Sequence, residues 1–77
     1  MKLSKVNPGK QYQWMSFLEN TPELVKEIFR DYGILPGSKI SIESIKIDNS
    51  KIIIRWEGTI LGLDQKLAEF VEVEPVV

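Results

Sequence analysis

The most regular pattern of apolar positions follows Thr21 and Pro22 and has the period of a helix. Apolar residues recur there at every third or fourth position, which is typical of the buried stripe of an amphipathic helix. This stripe consists of Leu24, Val25, Ile28, Phe29 and Tyr32. Thr21 is a suitable N-cap, and Pro22 fits the first helical position because its missing N–H needs no partner there. Gly33 is expected to end a helix of about eleven residues, with Ile34 folded back against Phe29 in a Schellman-type end.

Five other segments alternate apolar and polar residues, as strands with one buried face do. They are Gln11–Leu18, Lys39–Ile47, Lys51–Glu57, Thr59–Leu63 and a last segment around Val71 and Val73 that ends at Pro75. Turn sequences precede or separate them, namely Asn7-Pro8-Gly9, Pro36-Gly37, Asp48-Asn49-Ser50 and Glu57-Gly58. Asp64 is expected to cap a short helical turn that packs Leu67 and Ala68 before the last strand.

The buried face changes within two of these strands. The first change falls near Trp14 and Met15, and it indicates a bend or bulge. The second falls at Glu43-Ser44 and separates two pairs of isoleucines on opposite faces, Ile40 with Ile42 and Ile45 with Ile47. A strand that bends around a small barrel buries both pairs, whereas a flat sheet would expose one of them. We therefore predict a mainly β fold over a single domain, 1–77: a small five-stranded SH3-like barrel with one helix inserted after the first strand and a short helical turn before the last.

The residue types exclude most catalytic chemistry. Histidine and cysteine are absent, so neither a Ser–His or Cys–His nucleophilic pair nor a zinc site built from those ligands can form. The carboxylates that recur at helical spacing are interpreted as solvated charge: Glu19, Glu23, Glu27 and Asp31. The glycines Gly33 and Gly37 lack the Lys-Ser/Thr end of a phosphate-binding loop. We expect a protein that is not an enzyme and has no cofactor, metal ligands or catalytic residues of its own.

Charge and hydropathy indicate the compartment and the class of partner. The net charge of −1 gives no broad attraction to phosphate backbones, so nucleic acid is not expected as a partner. The longest unbroken apolar run, Ile52–Ile54, is far too short to cross a bilayer, and the N-terminus lacks the pattern of a secretory signal. Together with the absence of cysteine, these features predict a cytoplasmic protein.

The sequence leaves open whether two sets of apolar side chains are buried or exposed. One set is aromatic and either packs in the core, which we favour, or lines a groove for proline-rich peptides: Tyr12, Trp14 and Trp56. The other set either forms an exposed apolar patch of the kind that marks a contact site, or has its two isoleucines beneath the inserted helix: Leu35, Ile53 and Ile60.

Three stretches of the sequence resemble the ferrous-iron transport protein A (FeoA) family: Tyr32–Ile40, Trp56–Leu63 and Leu67–Val73, with Leu3 and Pro8-Gly9 fitting as well. The resemblance runs nearly the whole length. The same domain is known as the C-terminal barrel of iron-dependent repressors, but no DNA-binding portion accompanies it here, so a stand-alone transporter accessory is expected. The chain departs from the family pattern between Ile47 and Lys51, where relatives often carry a Gly-Asp-Pro-like turn.

The resemblance implies a cytoplasmic SH3-like protein of ferrous-iron uptake that acts with FeoB, the membrane GTPase transporter of bacteria and archaea. Transition-metal binding is often attributed to the family, whereas this chain offers only carboxylates and carbonyls as ligands. A protein that stimulates a GTPase would place a positively charged side chain, such as an arginine, in the active site of the GTPase. The chain has two arginines, Arg30 and Arg55, and both are expected at the surface.

The leading hypothesis from the sequence is therefore a module that docks on FeoB through two neighbouring features. One is the loop formed by Leu35, Pro36 and Gly37, and the other is the outer face formed by Ile53, Arg55 and Ile60. The alternatives are an SH3-like barrel that binds another protein or a peptide, for which Trp14 or Trp56 would have to be exposed, and a barrel that binds nucleic acid.

Overall fold

Five antiparallel strands form one sheet in the order β4-β3-β2-β1-β5. The computed structural model describes residues 1–76. The strands are β1 (Gln11–Phe17), β2 (Lys39–Ile45), β3 (Lys51–Trp56), β4 (Thr59–Asp64) and β5 (Val71–Pro75), and the helices are α1 (Glu23–Asp31) and α2 (Gln65–Ala68). The predicted mainly β fold, with one inserted helix and one helical turn before the last strand, is confirmed. Within residues 1–76 the edge strands β4 and β5 do not pair with each other, so the curled sheet stays open.

Both predicted changes of buried face are bulges in the structure. The register between β1 and β5 shifts between Trp14 and Ser16, and the register between β2 and β3 shifts between Ile42 and Ser44. A bulge bends its strand and increases the local twist. The sheet therefore curls over its own apolar face.

The prediction was wrong for the end of β2. The strand ends at Ile45, which is half-buried, and Ile47 is fully exposed. The chain has already turned there, because the Asn49 N–H donates to the Lys46 carbonyl at 2.8 Å and the Lys46 N–H to the Lys51 carbonyl at 3.0 Å. Ile47 thus belongs to the turn between β2 and β3, where it cannot reach the core.

The core lies on the concave side of the curled sheet. Its strand residues are Tyr12, Trp14, Ile40, Ile42, Ile52, Ile54, Leu63, Val71 and Val73. Helix α1 adds Val25 and Phe29, and α2 adds Ala68. Three aromatic rings pack against one another between α1 and β1. The centroid distances are 4.8 Å from Trp14 to Phe17 and to Phe29, and 5.2 Å from Phe17 to Phe29. These tilted and edge-on contacts attach the helix to β1.

The start of α1 differs from the prediction. Thr21 does not cap the helix, because its hydroxyl donates to the Leu18 carbonyl, and Pro22 takes the N-cap position. The helix has nine residues, and its buried stripe is narrower than predicted. Leu24 and Tyr32 lie in solvent, because Val25 and Phe29 fill the space that the small sheet offers.

The end of α1 is the predicted Schellman motif. The Gly33 N–H donates to the Arg30 carbonyl at 3.0 Å, and the Ile34 N–H donates to the Phe29 carbonyl at 2.9 Å. Gly33 has a φ of +72°, which an L-residue adopts only at a cost. Ile34 is consequently returned to the core, where it is buried.

The N-terminus adds an unpredicted short 3-10 helix, Leu3–Lys5, which buries Leu3. Just before it, the Met1 amino group donates to the Val73 carbonyl at 2.9 Å, and the Val73 N–H donates to the Met1 carbonyl at 2.7 Å. The backbone of Lys2 pairs with that of Glu72 as an isolated antiparallel β-bridge. The first residues of the chain therefore cover the outer edge of β5.

Other local predictions are confirmed. The Asp64 carboxylate caps α2 by accepting the Lys66 N–H at 2.8 Å. The hairpin between β3 and β4 turns on Glu57 and Gly58, whose φ values of 44° and 83° are those of a two-residue type I′ turn. In residues 1–76, no helix has the length and apolar character that crossing a membrane requires.

We predict that Gly33→Ala lowers the free energy of unfolding by about 1–2 kcal/mol, because a Cβ disfavours the left-handed conformation. The added methyl group would meet nothing closer than Trp56 at 3.7 Å, so backbone strain is the expected cause. Urea unfolding measures the change, with Glu27→Ala on the exposed face of α1 as control. An unchanged midpoint for Gly33→Ala would contradict this account of the helix end.

We also predict that Glu57→Asn raises the free energy of unfolding by about 0.5–1 kcal/mol, because asparagine tolerates positive φ better than glutamate does. The matched control is Glu69→Asn, at a residue with φ −64°. Thermal unfolding of both variants compares them. A gain for Glu69→Asn equal to that for Glu57→Asn would show that loss of charge, and not the turn, is responsible.

Candidate partner-binding surface

The loop that follows α1 is a fixed turn that presents Leu35 to solvent. The Leu35 N–H donates to the Ser38 hydroxyl at 3.1 Å, and the Ser38 N–H returns to the Leu35 carbonyl at 2.9 Å. Pro36 and Gly37 occupy the corners, where the φ of +93° at Gly37 is typical of a type II turn. Because Ile34 is drawn into the core, Leu35 points away from it and is 68% exposed.

The same loop is held against β1 on its other side. The Gly37 N–H donates to the Trp14 carbonyl at 2.8 Å, and the Gln13 side-chain amide donates to the Gly37 carbonyl at 3.1 Å. The Trp14 N–H donates to the Ser38 carbonyl at 2.9 Å. These bonds join the loop to β1, an interior strand of the sheet. A partner can therefore bind the exposed side chains of the loop without a large cost in conformational entropy.

An apolar groove lies between this loop and α1. Most of the residues that line it are apolar: Trp14, Phe17, Phe29, Ile34, Leu35 and Pro36. The two others are the cationic residues Lys26 and Arg30. The Trp14 indole N–H is already bonded to the Ser16 carbonyl at 3.1 Å. The groove therefore offers apolar contact and positive charge.

A second, shallower depression continues from Leu35 towards the hairpin between β3 and β4. Gly33, Gly37, Ser38, Lys39, Trp56 and Glu57 line it together with Leu35. Trp56 is half-buried here, under Gly33. The loop thus borders two concave surfaces, and the second one reaches the strand that carries Arg55.

The other predicted contact residues lie on the convex face of β3 and β4. Arg55 is opposite Ile60 in the ladder, and Ile53 is opposite Gly62. Ile60 is 55% exposed, so it does not lie beneath the inserted helix. Ile53 is half-buried and leans over the glycine, since a Cβ at Gly62 would lie 3.3 Å from its Cδ1 atom. The structure brings Ile53, Arg55 and Ile60 onto one face, while Leu35 lies beyond Trp56.

Arg55 already has an ionic partner. Its Nε donates to the Glu43 carboxylate at 2.5 Å, and this hydrogen bond raises the pKa of the guanidinium above its ordinary value. The pair is exposed, so its contribution to stability is small. Its main effect is to hold the arginine in a defined position on the convex face.

The carboxylates at helical spacing lie at the surface. Glu19, Glu23, Glu27 and Asp31 are all exposed, as the interpretation of solvated charge predicts. No group of three or more carboxylates suited to a metal ion occurs in the part of the chain that the structure describes. Hydrogen bonds from Ser50 lower the pKa of Asp48, which is the ordinary effect of a side chain that closes its own turn.

The aromatic residues are placed mainly as expected. Tyr12 and Trp14 are buried in the core, whereas Trp56 is half-buried and borders the second depression. Sequence reasoning did not identify Phe17 and Lys26 as groove residues. Phe17 follows the bulge in β1, and its side chain faces α1 only because the register shifts between Trp14 and Ser16.

Comparison with protein families gives one clear match. The model of the FeoA domain matches residues 1–75, and this range contains all of the strands and helices described above. No curated protein matches the chain.

Solved structures with the same fold include proteins described as FeoA or as iron(II) transport protein A. The chain is similar to the FeoA protein of Chlorobium tepidum, with 22% identity, a TM-score of 0.88, and coverage of 100% of this chain and 71% of that one. It is also similar to iron(II) transport protein A of Clostridium thermocellum, with 29% identity, a TM-score of 0.85, and coverage of 99% and 46%.

The fold also occurs as part of longer regulators. A manganese-dependent transcriptional repressor shares 13% identity with the chain at a TM-score of 0.85, and the match covers 99% of this chain and 41% of that one. This likeness shows the fold alone. The family match over residues 1–75 is what establishes the relationship: the chain belongs to the FeoA family.

Proposed function

We propose that the protein acts in ferrous-iron uptake as a binding module that docks on the cytoplasmic side of FeoB, the membrane GTPase transporter. Membership of the FeoA family supports a role in ferrous-iron transport. The name of the Clostridium thermocellum relative, iron(II) transport protein A, agrees with that role. FeoB is the partner that the family resemblance implies.

The observation that carries the proposal is a set of apolar side chains held outward on rigid backbone. Leu35 is 68% exposed and Ile60 is 55% exposed, although the core is otherwise filled. Leu35 belongs to a turn with five backbone and side-chain hydrogen bonds around it, and Ile60 belongs to a regular strand pair. Exposed apolar groups on preorganised elements are favourable contact residues, because binding orders little else.

The residue types support a binding role over a catalytic one. A chain without histidine or cysteine lacks the side chains that most often transfer protons or attack substrates near neutral pH. Of the two arginines, Arg55 is engaged with Glu43, and Arg30 lies at the rim of the apolar groove. Both are suited to contacts with acidic residues of a partner protein.

The alternatives from the sequence have weaker support. A peptide groove of the SH3 type uses exposed aromatic faces, whereas Trp14 is buried and bonded through its indole N–H. Trp56 is half-buried, and it is the one large aromatic side chain among the described residues that line the depression beside Leu35. Nucleic-acid binding requires a basic surface, and the net charge of the chain is −1. We therefore retain a protein partner as the proposed one.

We predict that Leu35→Ser weakens binding to intact FeoB by about tenfold or more, because it removes an apolar contact that the partner would bury. The double variant Ile53→Ser/Ile60→Ser should weaken binding by a similar factor. The measurement is a titration of detergent-solubilised transporter with the labelled protein, with the nucleotide state varied. Ile47→Ser is the matched control, since Ile47 is fully exposed in a turn outside the proposed surface.

Binding by both variants at wild-type affinity would remove this surface from consideration. Absence of binding by the wild-type protein itself, with its fold shown intact, would contradict the partner. Equal losses for Ile47→Ser and Leu35→Ser would show a general loss of apolar surface, and would also contradict the assigned contact residues.

A further inference from the structure

The two edges of the sheet are treated differently by the rest of the chain. Residues 1 and 2 cover the edge of β5: Met1 forms hydrogen bonds with the backbone of Val73, and the backbone of Lys2 pairs with that of Glu72. In the part of the chain that the structure describes, the edge of β4 has no such cover. Among residues 1–76, no hydrogen bond from another segment reaches the backbone groups of Ile60 or Gly62.

The hairpin geometry identifies which groups of β4 point outward. A two-residue turn at Glu57-Gly58 is closed by a hydrogen-bonded pair, Trp56 with Thr59. Hydrogen-bonded and non-bonded pairs alternate along an antiparallel ladder, so Leu61 also bonds to β3. The N–H and C=O groups of Ile60 and Gly62 therefore project from the free edge, ready to pair with another strand.

The edge lacks most of the features that normally prevent such pairing. Charged residues, proline and bulges protect most exposed edges. Strand β4 contains no proline, its only charged residue is Asp64 at its end, and its register with β3 is regular throughout. Ile60, at 55% exposure, adds an apolar side chain beside the open backbone groups.

The geometry points to a second copy of this chain as the occupant of this edge, with the two β4 strands paired antiparallel about a two-fold axis at Leu61. In that register Ile60 of each copy lies opposite Gly62 of the other, and these residues exchange their free N–H and C=O groups. The largest exposed side chain of the edge thus meets the one residue without a side chain. A closed, two-fold contact of this kind is self-complementary.

Packing on the convex face favours the same register. Ile53 leans over Gly62 in its own copy, so Ile60 of the second copy would come to lie beside Ile53 across the glycine. Asp64 would lie opposite Gly58, so no like charges face each other across the axis. Apolar contact and edge hydrogen bonds would then be satisfied together.

This inference goes beyond docking on FeoB and does not depend on it. Ile60 belongs to both surfaces, so the second copy and the transporter would exclude each other at that residue. The test uses the protein alone, so its outcome does not depend on whether the protein binds FeoB.

Sedimentation velocity of the whole chain, from about 10 μM to about 1 mM, is expected to show a concentration-dependent dimer. Ile60→Lys should weaken the dimer by at least about tenfold, because it places a charge at the paired edge. Ile47→Lys is the matched control and should dimerise as the wild type does. A wild-type protein that stays monomeric at the highest concentration overturns the inference, as does a dimer unaffected by Ile60→Lys.

Amide hydrogen exchange of the wild type gives a second test that requires no variant. The Ile60 and Gly62 amides should exchange freely at low concentration and become protected as dimer forms. Protection confined to other segments would overturn the inference. Protection of these two amides only when FeoB is added would also overturn it, and would assign the edge to a strand of the transporter.

Discussion

The structure depends on one constraint: a single five-stranded sheet must supply both layers of its own core. The bulges between Trp14 and Ser16 and between Ile42 and Ser44 meet this constraint, because each bends its strand and lets residues on both sides of the bend face inward. Helix α1 then adds the buried side chains of Val25 and Phe29, with Ile28 packed at the margin of the core. Leu24 is exposed, although it belongs to the same predicted stripe.

The candidate surface exists because the curled sheet forms most of its own core. The Schellman end at Gly33 turns Ile34 into the core and leaves Leu35 outside it, and the alternation of β4 sends Leu63 inward and Ile60 outward. These apolar residues are exposed because the core is already full, on backbone that hydrogen bonds hold in place. A small domain of this kind can offer fixed contact points while its interior remains closed.

Local chemistry explains what the sequence could predict. The glycine at the end of α1, the Glu57-Gly58 turn, the Asp64 cap and both bulges follow from neighbouring residues, and all are confirmed. The errors at Thr21 and Ile47 are also local, and they arise where two local structures compete. Thr21 bonds back to Leu18, three residues earlier, and does not cap the helix, and a turn closed by Asn49 and Lys46 ends β2 before Ile47. The groove beside Phe17 and the uncovered edge of β4 do depend on distant parts of the chain, so neither was identifiable before the sheet order was known.

We propose that the turn at Leu35 and the convex face of β3 and β4 form the surface that contacts FeoB. The most direct measurement is amide hydrogen exchange of this protein, free and bound to the intact transporter. We expect slower exchange within residues 33–38 and 53–62, with little change in β5 and in the turn at Ile47. Protection confined to β5 or to the exposed face of α1, with residues 33–38 and 53–62 unchanged, would contradict it.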